Sequence, residues 1–423
     1  MTLASAPPFE VHRGEVGKLR VAVAPIPGLR SVSALVALEA GQWSEPAGRA
    51  GIARLTAQSL LRGTARRDAA AWASALDDLG AVSRMDVGAH AAIMSGQCLA
   101  EDLEGYLGLV AEAVLAPALA TDQVELVRAE TLATIEEESR NTRGVADRAW
   151  RQLAYPAGHP FHSRPLGDED VVRSASVAEL ARYHRQEMLA RGGVIALAGG
   201  ITAEEGIAAA ERAFGSWPAG LSATARDVPP AAISTAQRRA DVVPDKTQSD
   251  VILGWLGLPR ADPRFVPARV ANMVFAADTF ASRAGKVVRD ELGLAYYVFS
   301  TIAATKGQGA WVVRMGVNPQ NVERAIDTTL RELRVVLAGD FPQEDLDLAK
   351  DKMVGELRVA LESPGGIAQM VLEAELFDLG LDHYERYADQ IRAVTKEQAV
   401  DVARQFLSAD RYALAIAGPP VAT

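Results

Sequence analysis

The chain has 423 residues, which is long enough for two or three domains with separate hydrophobic cores. Hydrophobic residues make up 49% and charged residues 23%, a composition typical of folded globular proteins and unlike that of disordered or collagen-like chains. Asp and Glu (54) outnumber Lys and Arg (44), and the net charge of −10 has the wrong sign for neutralising nucleic-acid phosphates. We therefore expect no nucleic-acid partner.

The sequence offers no targeting or membrane signal. Its first residues, MTLASAPPFE, have neither the basic segment nor the apolar core of a secretory signal, and no run of 18 apolar residues occurs. The single cysteine, Cys98, allows neither an internal disulfide nor a Cys-based zinc site, and its strand-like surroundings predict a packed thiol. We expect a cytoplasmic protein that does not enter a membrane.

Short apolar runs alternate with longer helical patterns along the chain. The loop ATKGQG joins the last two of these runs as a hairpin-type connection, which favours an antiparallel sheet. The sequence therefore predicts an α+β fold in which a largely antiparallel sheet is covered on one face by helices. The predicted strands are Ser33 to Leu38, Ala92 to Leu99, Val251 to Gly257, Tyr296 to Ala303 and Ala310 to Val317.

Two segments of the second half repeat segments of the first half without gaps. Residues 172–199 align with 391–418, and each copy has an N-cap (Ser176 or Thr395), an amphipathic helix and a short apolar strand ending in glycine. Residues 122–135 align in the same way with 344–357. The chain is therefore predicted to consist of two similar halves.

The region between the halves has the composition of a linker. It carries several prolines amid Ala, Ser and Thr, and its hydrophobic periodicity is weak. We predict an N-terminal domain at residues 1–215, a linker at 216–248 and a C-terminal domain at 249–423.

The segment Ala40 to Thr64, AGQWSEPAGRAGIARLTAQSLLRGT, consists of a strand end, a Glu-Pro turn and a helix that starts near Gly51. It resembles the pitrilysin/insulinase family of zinc peptidases, which includes mitochondrial processing peptidase. In that family this helix carries an HxxEH motif, whose histidines bind Zn²⁺ and whose glutamate polarises the attacking water. The resemblance implies that both predicted domains have a peptidase-like fold.

The N-terminal domain has a degenerate form of this zinc motif, with Arg54, Ala57 and Gln58 at the three positions. Arginine is not deprotonated in proteins, alanine has no base and glutamine is a poor zinc ligand. The family's third ligand corresponds to Glu136 or Glu137 in the run IEEE, which is also typical of a solvated helix face. We therefore expect no catalytic residue, metal ligand or cofactor on this chain.

Two histidines lie close together in the sequence GHPFHSRP. His159 and His162 are three residues apart in a proline-containing loop, and no nearby acidic pair completes a ligand set. The resembled family has a similar GHPYGRP loop, which also favours a packing role.

The C-terminal domain retains a second motif. The segment FASRAGKVVRDELGLAY, ending at Tyr296, is similar to the fSRLxxxlREexGLaY segment of the family's bacterial branch, and the resemblance implies that Arg289 and Tyr296 bind the substrate peptide. Arginine offers five donors in a planar fork, and a tyrosine hydroxyl stabilises a developing oxyanion. The spacing alone is also compatible with purely structural roles, in which Arg289 is a cation at the C-terminus of a helix and Tyr296 is a half-buried aromatic residue of a strand. Tyr297 is predicted to lie on the other strand face.

In the bacterial branch that this chain resembles, some peptidases are heterodimers in which one subunit supplies HxxEH and the other supplies the Arg/Tyr pair. The resemblance therefore implies a non-catalytic, substrate-binding subunit of a heterodimeric zinc metalloendopeptidase that cleaves unfolded peptides in a closed chamber. The chain would be inactive alone, and a homologous partner subunit would carry the zinc. The alternative is a catalytically dead scaffold or interaction subunit of a larger complex. It is favoured by the sequence FAAD, which replaces the family's usual LGG before the Ser-Arg pair.

Overall fold

The computed structural model describes residues 9–218 and 228–420. Their strands are β1 (His12–Val16), β2 (Leu19–Pro25), β3 (Ser31–Leu38), β4 (Val82–Val87), β5 (Ala92–Leu99), β6 (Val194–Gly199), β7 (Gln237–Val242), β8 (Ser249–Leu256), β9 (Ala295–Ile302), β10 (Ala310–Val317) and β11 (Ala413–Gly418). Their α-helices are α1 (Ile52–Ser59), α2 (Ala69–Asp78), α3 (Leu103–Leu115), α4 (Thr121–Ser139), α5 (Thr142–Ala154), α6 (Glu169–Ser174), α7 (Val177–Glu187), α8 (Ala203–Phe214), α9 (Phe265–Phe275), α10 (Val322–Ala338), α11 (Gln343–Ala360), α12 (Pro364–Leu376), α13 (His383–Ala393) and α14 (Lys396–Phe406). Within this described part of the chain, no helix combines the length and apolar character that a membrane span requires.

The described residues divide into two compact units. The first takes its residues from Met1–Thr134, Pro165–Asp227 and Arg358–Glu385, and the second from Ile135–Arg164, Val228–Leu357 and Arg386–Thr423. Each unit therefore includes one segment from the opposite half of the chain. Residues 219–227 of the predicted linker lie outside the described residues, and the rest of that linker contains β7.

The two units contain equivalent sheets. The sheet of the first unit has the order β1-β2-β6-β3-β5-β4, and among its described pairs only β2 and β6 run parallel. The sheet of the second unit has the order β7-β11-β8-β10-β9, and there only the described pair β7 and β11 is parallel. Apart from β1, the two orders correspond strand by strand. The predicted α+β fold, with two similar and largely antiparallel halves, is confirmed.

Alternate residues of the central strands belong to different hydrophobic clusters. In β6, Ile195 and Leu197 join the large core of the first unit, whereas Ala196 and Ala198 join a smaller cluster with α12. Successive side chains of a strand point to opposite faces, so β6 is buried on both. The alanines leave room for α12 to pack closely on the face opposite the main helical layer.

Polar groups define where the key helices begin. Ser176 and Thr395 form capping boxes at the starts of α7 and α14, as predicted. At α1, Gly51 is the N-cap with a φ of 106°, a conformation that favours glycine. The Glu45 carboxylate accepts hydrogen bonds from the backbone N–H groups of Gly51 at 2.7 Å and Ala53 at 3.0 Å. These contacts set the direction of α1.

A buried carboxylate connects α12 to the sheet edge of the first unit. Glu375 is fully buried, and its Oε1 atom accepts hydrogen bonds from Nη2 and Nε of Arg13 at 2.7 and 2.9 Å. Arg20 Nη1 lies 3.5 Å from the other carboxylate oxygen. Arg13 is 362 positions away from Glu375 in the sequence, so the ion pair fastens a distant segment to the unit.

We predict that Arg13→Ala lowers the free energy of unfolding by about 1–3 kcal/mol, because it removes the two short hydrogen bonds of a buried carboxylate. Urea-induced unfolding measures this change. The control is Arg84→Ala, which removes an exposed ion pair with Asp86 and should change stability by less than about 0.5 kcal/mol. Equal effects of the two substitutions would contradict the prediction.

Candidate functional site

The three positions of the degenerate zinc motif lie on α1. Ala57 is fully buried, and Arg54 and Gln58 are partly exposed. The Gln58 Nε2 group donates a hydrogen bond of 2.7 Å to the backbone oxygen of Met85 in the edge strand β4. A guanidinium, a methyl group and an amide engaged with a strand do not fit a zinc ion. No step of zinc chemistry is therefore assigned to α1.

The acidic run on α4 has the character of a solvated helix face. Ile135 is buried, whereas Glu136 and Glu137 are exposed. Glu136 forms an ion pair of 2.5 Å with Arg140, one helical turn away. Across residues 9–218 and 228–420, no three His, Cys, Asp or Glu side chains are grouped so as to hold a metal ion.

Two further groups from the sequence analysis are packed side chains. The His159 ring stacks on Tyr155 with centroids 4.6 Å apart, its Nδ1 atom accepts the Phe161 N–H at 3.0 Å, and burial lowers its pKa. His162 Nδ1 lies 2.8 Å from the backbone oxygen of Tyr155. Cys98 is buried, and burial raises the pKa of its thiol to about 12, so the thiol is protonated at neutral pH. The predicted packing roles are confirmed.

Arg289 and Tyr296 lie on the two sides of a tight turn in the second unit. Arg289 belongs to a π-helix at Gly285–Glu291, and Gly293 then reverses the chain with a φ of 59°. Tyr296 follows in β9, where the register against β10 shifts by one residue. A β-bulge of this kind redirects a side chain away from the regular ladder. Tyr296 is 80% exposed.

Three contacts hold the guanidinium of Arg289. Its Nε group donates to the backbone oxygen of Tyr296 at 3.1 Å, and Nη1 donates to Asp290 Oδ1 at 2.6 Å. The guanidinium also lies over the ring of Phe280, 4.5 Å from its centroid. Neither Arg289 Nη2 nor the Tyr296 hydroxyl has a hydrogen-bond partner within residues 9–218 and 228–420. The structure thus places the two predicted residues together and leaves a donor on each of them available.

The segment before β9 occupies the outer edge of that strand. The Tyr296 carbonyl accepts a hydrogen bond from Arg289, as described above. The Val298 oxygen accepts one from Thr279 Oγ1 at 3.0 Å, and the Ser300 N–H donates to the backbone oxygen of Ala276 at 2.7 Å. An edge strand recruits another chain through unpaired N–H and C=O groups. The Tyr296 and Val298 carbonyls and the Ser300 N–H are already paired. A peptide that approaches this edge therefore cannot use them to add a strand to the sheet, and it contacts side chains instead.

Tyr297 is directed to the opposite side of β9, where it reaches a buried carboxylate. Its hydroxyl donates to Oδ1 of Asp250, and Thr142 Oγ1 donates to Oδ2 at 2.5 Å. Gly316 pairs with both Tyr297 and Asp250, and a Cβ atom there would lie 2.4 Å from the Tyr297 ring. The glycine therefore gives the ring room to cross β10. The Arg143 guanidinium covers the ring at 4.8 Å.

The ionisation of Tyr297 follows from this environment. Burial and the hydrogen bond to Asp250 raise its pKa to about 12. The hydroxyl therefore remains a proton donor at neutral pH, and the half-buried Tyr297 is engaged by Asp250. Tyr297 thus lies on the other strand face from the exposed Tyr296, as predicted.

Phe280, Asp290 and Asp250 belong to this site but were not predicted from the sequence. Phe280 and Asp290 both lie in the quoted segment, and the exposed aromatic beside a helical arginine was an available signal. Asp250 lies on a different strand, and no local pattern relates it to Tyr297.

The adjacent tyrosines provide a matched test. We predict that Tyr297→Phe lowers the free energy of unfolding by about 1–3 kcal/mol, because it leaves a buried carboxylate short of a donor. Tyr296→Phe should leave stability unchanged, because its hydroxyl has no partner in the described structure. Chemical denaturation of the two variants measures the difference. A larger loss for Tyr296→Phe would contradict the assignment of the two faces.

Comparisons with known proteins agree with the fold. Two family models match: one described as Insulinase (Peptidase family M16) over residues 20–159, and one described as Peptidase M16 inactive domain over residues 174–353. An uncharacterized zinc protease of Mycobacterium leprae is 26% identical over 416 residues, covering 95% of this chain and 90% of that protein. The mitochondrial-processing peptidase subunit beta of Caenorhabditis elegans is 22% identical over 394 residues, covering 90% and 84%.

A solved structure shows the same architecture. The crystal structure of a peptidase M16 inactive domain from Pseudomonas fluorescens has a TM-score of 0.91 to this chain at 23% identity, and the match covers 98% of this chain and 99% of that one. The two family matches together extend over most of the described residues. The chain belongs to the insulinase family of peptidases, peptidase family M16.

Proposed function

We propose that this chain is the non-catalytic, substrate-binding subunit of a heterodimeric zinc metalloendopeptidase that cleaves unfolded peptides in a closed chamber. The observation that carries the proposal is the exposed cluster formed by Phe280, Arg289 and Tyr296, here called the Arg/Tyr surface. Phe280 is 65% exposed and Tyr296 80% exposed, which is unusual for large aromatic side chains unless they contact a partner or ligand. Tyrosine and arginine are also the residues that contribute most to binding surfaces.

The Arg/Tyr surface suits the main chain of a peptide. Arg289 is held in place by Tyr296, Asp290 and Phe280, so little side-chain entropy is lost when its Nη2 group donates to a peptide carbonyl. The Tyr296 hydroxyl supplies a second donor to the same peptide. Because the β9 edge is occupied, these side-chain donors are the proposed means of orienting the substrate.

The proposal requires a second chain for the chemistry. Arg54, Ala57 and Gln58 provide neither zinc ligands nor a general base, so the zinc is assigned to a homologous partner subunit with an intact HxxEH motif. The chain is then inactive alone and carries no cofactor of its own. The proposed location of the pair is the cytoplasm.

We predict that mild affinity purification of this chain from its native host recovers a chain of similar size that bears HxxEH, in equal amount and with about one zinc ion per pair. Mass spectrometry and metal analysis of the complex measure both. Recovery of the chain alone and free of metal would contradict the pairing. Recovery with unrelated membrane or respiratory subunits would support the scaffold role instead.

We predict that Arg289→Ala in the assembled pair lowers kcat/KM for peptide cleavage by about tenfold or more, because a charge-assisted contact with the substrate is lost. Tyr296→Phe should also lower kcat/KM. The control is Arg331→Ala, an exposed arginine of α10 with no described partner, which should have no effect. Size-exclusion chromatography checks that each variant still assembles. Cleavage by Arg289→Ala within twofold of wild type would refute the assignment.

A further inference from the structure

A second candidate binding site lies beside α5, within the second unit. Ala149 and Trp150 of this helix are buried, and α5 packs on strands β7, β8 and β11. Asp147, on one flank, is engaged by two arginines. On the other flank, Val145 and Arg148 line a cavity of about 570 Å³, a volume typical of small-ligand sites. The end of α4 and residues 241–246 complete its wall.

The charges that line this cavity, here called the α5 cavity, are unequally compensated. Arg140 is paired with Glu136, which is outside the lining, and Asp241 is paired with Arg239 at 2.9 Å. Arg164 and Glu138 both belong to the lining and lie 4.0 Å apart, so their charges compensate each other. Arg148, in contrast, is exposed and has no ion pair or hydrogen bond with any described residue.

Lys246 is the second basic group of the α5 cavity whose charge is not compensated. It is exposed and, like Arg148, has no partner among residues 9–218 and 228–420. Among the carboxylates of the lining, Asp245 is the one that is exposed and has no partner within these described residues. Two basic groups against one acidic group leave an excess of one positive charge. This balance suits a monoanion better than a phosphate dianion, which the carboxylate would repel.

Part of the cavity wall is apolar. Val145, Val242 and Pro244 belong to the lining, and Val242 is 64% exposed although it is a large aliphatic residue. An aliphatic group that enters the cavity would remove this surface from water, which is favourable in proportion to the apolar area buried. The α5 cavity therefore combines a site for one negative charge with a site for an aliphatic side chain.

We propose that the α5 cavity binds the C-terminal end of a peptide, with its terminal carboxylate between Arg148 and Lys246 and an aliphatic last side chain against Val242. Arginine binds carboxylates through two parallel N–H donors, and lysine adds a point charge. This inference rests on the proposed function in one respect, that the ligands of the chain are peptides. It requires neither the partner subunit nor zinc.

The test uses the full chain alone and two short fluorescein-labelled peptides of identical sequence ending in valine, one with a free C-terminal carboxylate and one with a C-terminal amide. Fluorescence anisotropy should give an affinity about tenfold higher for the free acid, and this difference should shrink as salt is added. Arg148→Ala should weaken binding of the free acid about tenfold and leave the amide unchanged. Arg148→Lys should restore part of the affinity, and the control Arg331→Ala should behave as wild type.

Equal affinities for the acid and the amide would overturn the proposal, as would a loss of amide binding in Arg148→Ala. Competition by isovalerate as strong as that by the unlabelled peptide would also overturn it, because the cavity would then be a site for small carboxylic acids. Failure here is distinguishable from failure of the proposed function. The latter depends on cleavage by the assembled pair and on Arg289, whereas the anisotropy difference depends on Arg148.

Discussion

The buried carboxylate of Asp250 is the constraint on which the Arg/Tyr surface depends. A buried charge is tolerated only when donors surround it, and here the donors are the hydroxyls of Thr142 and Tyr297. These bonds hold the Tyr297 ring across Gly316, which fixes the strand face from which this side chain projects. Its neighbour Tyr296 must then point away, and the bulge in β9 completes that outward direction. The contact with Asp250 thus holds Tyr297 and leaves Tyr296 as the exposed member of the two adjacent tyrosines.

The donors of Arg289 are divided between contacts within the unit and one donor that has no partner among the described residues. Nε and Nη1 are used within the unit, on the Tyr296 carbonyl and on Asp290, while Nη2 remains available. An unrestrained arginine on a surface would lose more rotamer entropy on binding than one already held on three sides. The Nε contact also pairs one carbonyl group at the edge of β9. A single side chain therefore binds the strand edge and presents a donor that is held in place.

Much of the fold was predictable because it rests on local chemistry. The capping residues Ser176 and Thr395 and the β9–β10 hairpin follow from patterns within a few residues. The repeated segments follow from comparing the two halves of the chain. The proximity of Arg289 and Tyr296 also followed from the glycine that closes the turn. The π-helix was not predicted. The bulge at β9 and the contact between Asp250 and Tyr297 were not predictable, because they depend on how β9 fits against β10 and against a residue of β8 and not on the pattern of one strand. The packing of residues 358–385 into the first unit was not predictable either. Glu375, at the end of α12, pairs with Arg13, which is 362 positions away in the sequence.

The equivalent ends of the two sheets differ in the side chain that binds the edge strand. By strand order β4 corresponds to β9, and each is an edge strand with a carbonyl bound by a side chain from a helix. In the second unit this side chain is Arg289, whose planar fork has a donor to spare. In the first unit it is Gln58, whose amide binds Met85 from a position where the family's zinc peptidases have a histidine ligand. The amide of Gln58 therefore serves the sheet edge, and α1 keeps its place in the fold with no histidine at this position.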